Sequence, residues 1–347
     1  MKKSIQHRLT YSLIISSSIF LDACKAQKPA TGTPQNKRAI QSNQAETRPI
    51  IHTVDKPVTS SLGKVNLINK DQSIHPDLLA FMNLFDLKHD GTIDSVNRAL
   101  QAHFLRKPGQ ERTDIQDDSF DASTMAQAIQ LLRQMSLVDE IAYTPTQVVD
   151  YFLLFGAMTQ RMTSRIQDFV KQYEKGVRCK NIILLGGVRK LREHEITFLK
   201  GLKMSFPAFL QKLGKQEKEL TEADAFRAIW DTNVPTKTKV RFTEGKNLFF
   251  INSTDVTQGT NDRPTTGTTL DAWYDLCQPA PGHCHGNVEL PYGIRMEKVL
   301  RTFLHKKGKG FSISWNSPAA SEKLQIGVYK DTLARTFYQE CKLKGYI

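Results

Sequence analysis

Three stretches of this chain set glycines beside cationic or hydroxyl side chains, a combination suited to holding an anion. The clearest is Leu184-Leu185-Gly186-Gly187-Val188-Arg189-Lys190-Leu191-Arg192-Glu193-His194-Glu195. Glycines after a buried strand let backbone approach a ligand, and the next helix N-terminus offers unpaired N–H groups and a positive dipole. Arg189 is placed to add a bidentate clamp, and Glu195 to orient Arg189 or to serve as a general base, although an exposed helix residue is its plainer reading. The same residues also suit a plain strand-to-helix turn with a solvated arginine, and the sequence does not choose between the two. The second stretch, Gly156-Ala157-Met158-Thr159-Gln160-Arg161, repeats the arrangement, with Arg165 one helical turn beyond Arg161. The third runs from Gly259 to Thr269 and supplies Arg263, Thr265, Thr266 and Thr268 as candidate ligand contacts. Either Thr266 or Thr268 is also suited to cap a helix beginning near Leu270.

Other chemistry is sparse. The chain lacks a Walker A sequence, G-x-G-x-x-G, G-x-S-x-G and H-E-x-x-H; His194-Glu195-Ile196-Thr197-Phe198 has no second histidine. No activated nucleophile is visible, so the residues leave open whether the protein is an enzyme and imply no cofactor. Asp86 to Asn97 matches an EF-hand loop at its first, fifth, sixth, eighth and ninth positions. Lys88 and Asn97 occupy the places of a third-position ligand and the closing bidentate glutamate, which favours a helix, Asp-Gly turn, helix over a calcium site. Cys277 and Cys284 are candidates for a disulfide closing a short loop with Pro279, Pro281 and Gly282. With His283 and His285 they also offer zinc-type donors, but at no recognised spacing, and no metal is expected.

The elements that must position these residues follow from apolar spacing. Leu78, Leu79, Phe81, Met82, Leu84 and Phe85, then Val96, Leu100 and Phe104, then Met125, Ile129, Leu131, Leu132 and Met135 recur at helical intervals and predict a prelude of three or four helices over 75–145. After Pro145 short β-rich runs alternate with amphipathic segments. The runs at 148–155 and 181–185 are continuously apolar and enclose a helix from about Thr159 to Lys175. That is a right-handed unit of a parallel sheet buried on both faces. Further strands are expected over 239–243, 248–252, 286–290 and 310–315, with helices through Glu195 to Leu202 and over 294–306 and 329–342. Residues 146–347 therefore read as one α/β, doubly wound domain whose sheet is mainly parallel.

The N-terminus carries an address. Lys2, Lys3 and Arg8 precede an apolar run from Leu9 to Leu21, too short for a bilayer core, and Leu21-Asp22-Ala23-Cys24 resembles a lipobox with Asp22 as its departure. Residues 1–24 are thus expected to be a lipoprotein-type signal with Cys24 as the acylated residue. Residues 25–74 are expected to be a polar tether, clearest from Lys25 to about Gly63, because they hold too few large apolar groups to offset ordering entropy. The formal charge of +13 falls only to +11 when the signal leaves, so the basic bias belongs to the mature chain. It suits anionic partners.

Together these stretches resemble the YdcF/SanA-like family of bacterial α/β proteins, in its larger form with a helical prelude. The resemblance rests on Asp150-Tyr151-Phe152-Leu153-Leu154-Phe155-Gly156-Ala157 with Arg161, on Leu185-Gly186-Gly187-x-Arg189-x-Leu191 with Glu195, on Arg263 to Leu270, and on Leu290-Pro291-Tyr292 before a helix. It covers about 146–347. It implies a Rossmann-like sheet, a polar cleft at the strand ends for a small anionic ligand, and links to the bacterial envelope. The smaller members' Asn-Thr-x-Glu-Asn motif appears here only as the threonine loop, and Gly156-Ala157 replaces a glycine pair. The reading that follows is an envelope lipoprotein with its folded domain outside the inner membrane, on the periplasmic side, binding a small phosphate- or carboxylate-bearing ligand in cell-wall or lipid-carrier metabolism. Two rivals stand beside it. One is a noncatalytic basic protein contacting anionic lipid or wall polymer; the other, if the signal is misread, is a cytoplasmic enzyme for a nucleotide-type cofactor. No specific nucleic acid partner is expected.

Overall fold

The structure is a computed structural model that describes residues 66–107, 110, 115, 120–142, 148–254, 264–308, 310–320 and 325–347. The signal and Cys24 lie outside them. Three helices form the prelude: α1 (Pro76–Leu84), α2 (Ile93–His103) and α3 (Ala122–Gln134). Each starts where its sequence supplies a cap. His75 precedes Pro76, Thr92 Oγ1 accepts from Ser95 N–H at 3.2 Å, and Asp121 Oδ1 accepts from Ser123 and Thr124 N–H at 2.9 Å. Between α1 and α2, Asp90 Oδ1 accepts from the Thr92 N–H and hydroxyl at 2.9 and 2.7 Å, which makes the segment the Asp-Gly turn the sequence favours.

The fold starts earlier than the tether reading allows. Leu67 and Ile68 are fully buried, and their N–H groups donate to Glu340 at 3.0 and 3.1 Å. Residues 66–74 therefore belong to the folded part, because two apolar side chains and a buried carboxylate are enough to dock them. The prelude's Leu78, Phe81, Leu100 and Leu132 share one buried cluster with Leu153, Trp315 and Leu333.

Five parallel strands follow: β1 (Val149–Phe155), β2 (Cys179–Gly187), β3 (Leu248–Ser253), β4 (His283–Asn287) and β5 (Ser312–Asn316), ordered β3-β2-β1-β4-β5. This is the doubly wound α/β sheet the alternation predicts. One face, through Phe152, Leu154, Ile182 and Leu184, packs on α4 (Thr159–Glu174), α5 (Glu193–Lys200), α6 (Phe206–Leu213) and α7 (Glu222–Asn233). The other, through Leu153, Phe155, Ile183 and Leu185, packs on α9 (Thr266–Cys277), α10 (Tyr292–Lys307), α11 (Ile326–Lys344) and the prelude. Successive β1 residues thus point into different cores, which is why the run is apolar throughout.

Four elements differ from the sequence reading. The strand expected over 239–243 is instead the end of a short helical turn, α8 (Thr236–Lys239), begun at Pro235, with Val240 and Phe242 N–H donating back to Thr236 and Lys239. Phe242 is buried but Val240 is exposed, so the two never share a sheet face. The fourth strand spans 283–287 rather than 286–290, because Gly286 sits opposite Trp315 and the chain turns immediately afterwards into α10. Helices α6 and α7 fill a region given no element; Thr221 caps α7 in a box with Asp224, and Ala225, Phe226, Ile229 and Trp230 form its buried stripe.

Gly286 is required by close approach. A Cβ there would stand 2.1 Å from the Trp315 ring. Gly286→Ala is therefore expected to lower unfolding stability by about 1–3 kcal/mol through overpacking, measured by denaturant titration.

Candidate functional site

In a sheet of this order the connections leave β1 and β4 on opposite faces, so a crevice opens between their carboxyl ends. Arg161 and Arg165 lie in the first turns of α4, just beyond β1, and Glu289 lies just beyond β4. Arg165 Nε and Nη2 grip the two Glu289 oxygens at 2.9 Å each, while its Nη1 donates to the carbonyls of Phe155 and Gly156 at 2.7 and 3.1 Å. Arg161 Nη1 reaches the same carboxylate at 3.1 Å, and its guanidinium lies 4.5 Å from the centre of the Tyr292 ring. Burial alone would raise the Glu289 carboxyl, but Arg165 and then Arg161 outweigh it and hold the group below the usual range. Two guanidiniums thus face one carboxylate. Arg165 is buried, whereas the Arg161 side chain is 35% exposed.

A second pair lies at the ends of β1 and β2. Arg189 Nη1 and Nη2 donate to the two oxygens of Glu195 at 2.7 and 2.9 Å, Nη2 also to Ala157 O at 3.2 Å, and Nε stands 3.9 Å from Glu222. Glu195 is fully buried and accepts further from Thr159 N–H at 3.3 Å and Arg192 N–H at 3.1 Å. Burial pushes its carboxyl up, and Arg189 more than compensates and holds it below the usual range. Glu195 therefore occupies the N-terminus of α4 with its own charge and orients Arg189; it is not the exposed helix residue of the plainer sequence reading, because Arg189 and two backbone N–H groups satisfy its charge inside the fold.

The glycines serve close approach within the chain. A Cβ on Gly156 would fall 2.5 Å from Glu222 Oε1, one on Gly186 2.9 Å from Ala223 Cα, and one on Gly187 2.9 Å from Pro264. The α7 N-terminus and the segment before α9 thus cover the strand ends at these positions. The cap of α9 is Thr265 rather than Thr266 or Thr268, and α9 starts four residues before Leu270. Thr265 Oγ1 accepts from Thr268 N–H at 3.2 Å, Thr268 Oγ1 accepts from Thr265 N–H at 2.9 Å, and Thr266 Oγ1 meets Met296 Sδ at 3.5 Å. Arg263 lies outside the described residues. Gly186 and Gly187 end β2, and Gly156, Arg161, Arg189, Thr265, Thr266 and Thr268 follow β1, β2 or β3, so all of them lie toward one edge. At that edge, Ser253 Oγ after β3, Asn287 Oδ1 in β4 and Ser317 Oγ after β5 are buried without a hydrogen-bond partner among the described residues.

Next to the crevice, β4 and β5 turn a wholly polar face toward α4. His283 Nε2 and His285 Nδ1 lie 2.6 and 2.8 Å from Ser314 Oγ, and His285 Nε2 lies 3.2 Å from Gln172 Oε1. Gln172 Nε2 donates to Asp168 at 2.9 Å and Asn316 Oδ1 at 3.0 Å, and Asn287 and Asn316 amides also donate to Asp168. An amide oxygen only accepts, so His285 donates from Nε2, Ser314 donates to His285 Nδ1, and His283 Nε2 donates to Ser314. The chain has one direction and ends on a carboxylate. Burial drives the His285 imidazole down to about 3 and lowers His283 as well. Cys284, between the two histidines, points into the opposite core, so strand alternation separates the zinc-type donors read along the sequence. Cys277 and Cys284 are free thiols rather than a disulfide; both abut the apolar core around Trp273 and Ile313, where burial pushes the thiols up, Cys277 to about 11.

Sequence reasoning passed over Glu289, Glu222 and Asp168. Glu222 was legible in Thr221-Glu222-Ala223-Asp224, a capping signature; the other two carry no local signal. No family model, curated protein or solved structure matches the chain.

Proposed function

We propose that this protein is an envelope lipoprotein, acylated at Cys24, whose α/β domain binds a small phosphate- or carboxylate-bearing ligand at the carboxyl edge of its sheet. The domain stands on the periplasmic side, and cell-wall and lipid-carrier precursors are the candidate ligand classes. The observation that supports the binding reading is the pair of guanidiniums at the crevice between β1 and β4, where Arg161 and Arg165 share the carboxylate of Glu289 and Arg161 is the exposed partner. Arg189, set between Glu195 and Glu222, contributes alignment. No reaction is assigned, because no nucleophile is paired with a base at this edge among the described residues.

Calorimetric titration of the full chain with inorganic phosphate and with glycerol phosphate tests the reading. Saturable one-site binding is expected, with Arg161→Ala weakening it about tenfold or more, the value of one charge-assisted hydrogen bond. Unchanged affinity in Arg161→Ala overturns the site. Binding that falls steeply with salt and tolerates this change supports the bulk-charge rival instead. Intact mass of the processed chain, with and without Cys24→Ala, tests the anchor.

A further inference from the structure

Large apolar side chains exposed one at a time are ordinary on a protein surface. Here they are not dispersed. Among the described residues the exposed large hydrophobics are Val148, Val240, Leu276 and Ile347, at 52, 74, 70 and 55%. Val148 immediately precedes β1, Val240 lies between α8 and β3, Leu276 is in the last turn of α9 before β4, and Ile347 follows α11. The strands are parallel and the helices return against them, so all four positions lie at the edge where strands begin, opposite Arg161.

The same edge is basic. Lys237, Lys239, Arg241 and Lys246 lie within six residues of Val240, and Arg178 precedes β2. Of the acidic groups nearby, Glu244 is paired with Arg227, Glu174 with Lys237, Asp231 with Lys212 and Asp271 with Lys307, while the exposed Asp275 adjoins Leu276. Helix C-termini attract lysines on their own account, but Arg241 and Lys246 lie beyond α8 and before β3, outside any helix. The described chain also begins here. Leu67 and Ile68 are held by Glu340, and Lys344 donates to Asn69 O at 3.2 Å, so residue 66 starts beside the C-terminal end of α11.

We infer that this strand-start edge is a docking surface for an anionic lipid bilayer, with Val240 and Leu276 entering the interface and the lysines and arginines around Val240 meeting headgroup phosphates. The aliphatic groups decide the partner class. A soluble polyanion satisfies the cations but offers no apolar phase for Val240 and Leu276, whereas a bilayer interface takes both. Docked this way, the crevice at Arg161 faces away from the membrane, and residue 66 lies on the membrane side. The inference requires neither acylation of Cys24 nor a ligand at the carboxyl edge.

Hydrogen exchange and co-sedimentation of the full chain with vesicles test it. On phosphatidylglycerol–phosphatidylcholine vesicles, amides over 236–246, around 276–282 and at 345–347 gain protection that pure phosphatidylcholine does not give, and the carboxyl edge gains none. The exposed triple change Lys237→Glu, Arg241→Glu, Lys246→Glu lowers partitioning by about tenfold or more, and Val240→Asp lowers it on its own while leaving phosphate titration at the carboxyl edge as in the parent. Equal protection in both vesicle types, or protection located elsewhere, overturns the inference. So does vesicle binding that Val240→Asp leaves intact while soluble polyphosphate displaces it, the pattern of a polyanion surface. The wild-type exchange map decides the matter even if the triple variant folds poorly.

Discussion

Arg189→Ala is expected to cost about 3–5 kcal/mol of stability in chemical denaturation, the range for breaking a buried ion pair. The change leaves Glu195, fully buried and shared by Thr159 and Arg192 N–H groups, without its counter-ion. It also removes the cation between Glu195 and Glu222, so two carboxylates lose the charge that separates them. The double variant Arg189→Ala with Glu195→Gln should recover part of the loss, since a neutral amide still accepts from the two backbone donors without a buried charge. A single variant as stable as the parent would show that the pair is not buried in solution. This expectation separates Arg189 from Arg161: alanine at 189 breaks the scaffold of the edge, whereas alanine at 161 removes a half-open cation. Binding experiments on the two must therefore be read beside their stabilities.

The second large effect is on acid stability. His285 is fully buried as a neutral imidazole, donating to Gln172 and accepting from Ser314. A proton added at Nδ1 turns that nitrogen into a donor to the Ser314 oxygen, which already accepts from His283, and leaves the Ser314 hydroxyl hydrogen without the acceptor it had. The folded value near 3 lies below the unfolded 6.5. Stability is therefore fully present above pH 6.5 and is lost as pH falls toward 3, by about 1.4 kcal/mol per pH unit. At pH 4.5 the expected loss from His285 alone is about 3 kcal/mol, with His283 adding in the same direction. Denaturant midpoints measured from pH 7.5 to 4 read this directly. His285→Gln should flatten the slope below pH 6.5, although it lowers stability at pH 7.5; an unchanged slope would remove His285 as its origin.

The composition of β4 explains why this network was hard to foresee. Along the sequence, His283-Cys284-His285 looks like one donor set. In the sheet the histidines and Cys284 serve opposite faces, and the imidazoles are satisfied by Ser314, 29 and 31 residues away, and by Gln172, 113 residues away. Nothing local marks those partners.

What the amino-acid sequence determined by itself is whatever rests on neighbours along the chain. The continuous apolar runs at Phe152–Phe155 and Ile182–Leu185 require strands covered on both faces, Asp121 and Thr92 begin helices wherever they are placed, and Asp90-Gly91-Thr92 turns because its own side chains close it. The gathering of Gly156, Arg161, Gly186, Gly187 and Arg189 at one edge also follows from parallel strands alone. Only the tertiary structure decided which strands pair, that Glu289 stands 124 residues from the arginine it neutralises, that Ala223 and Pro264 fill the room left by the glycine pair, and that Val148, Val240, Leu276 and Ile347 share an edge. Those outcomes depend on where β4 inserts beside β1. That placement is selected by burying two opposed cores at once, a sum over distant contacts that no short window of sequence contains.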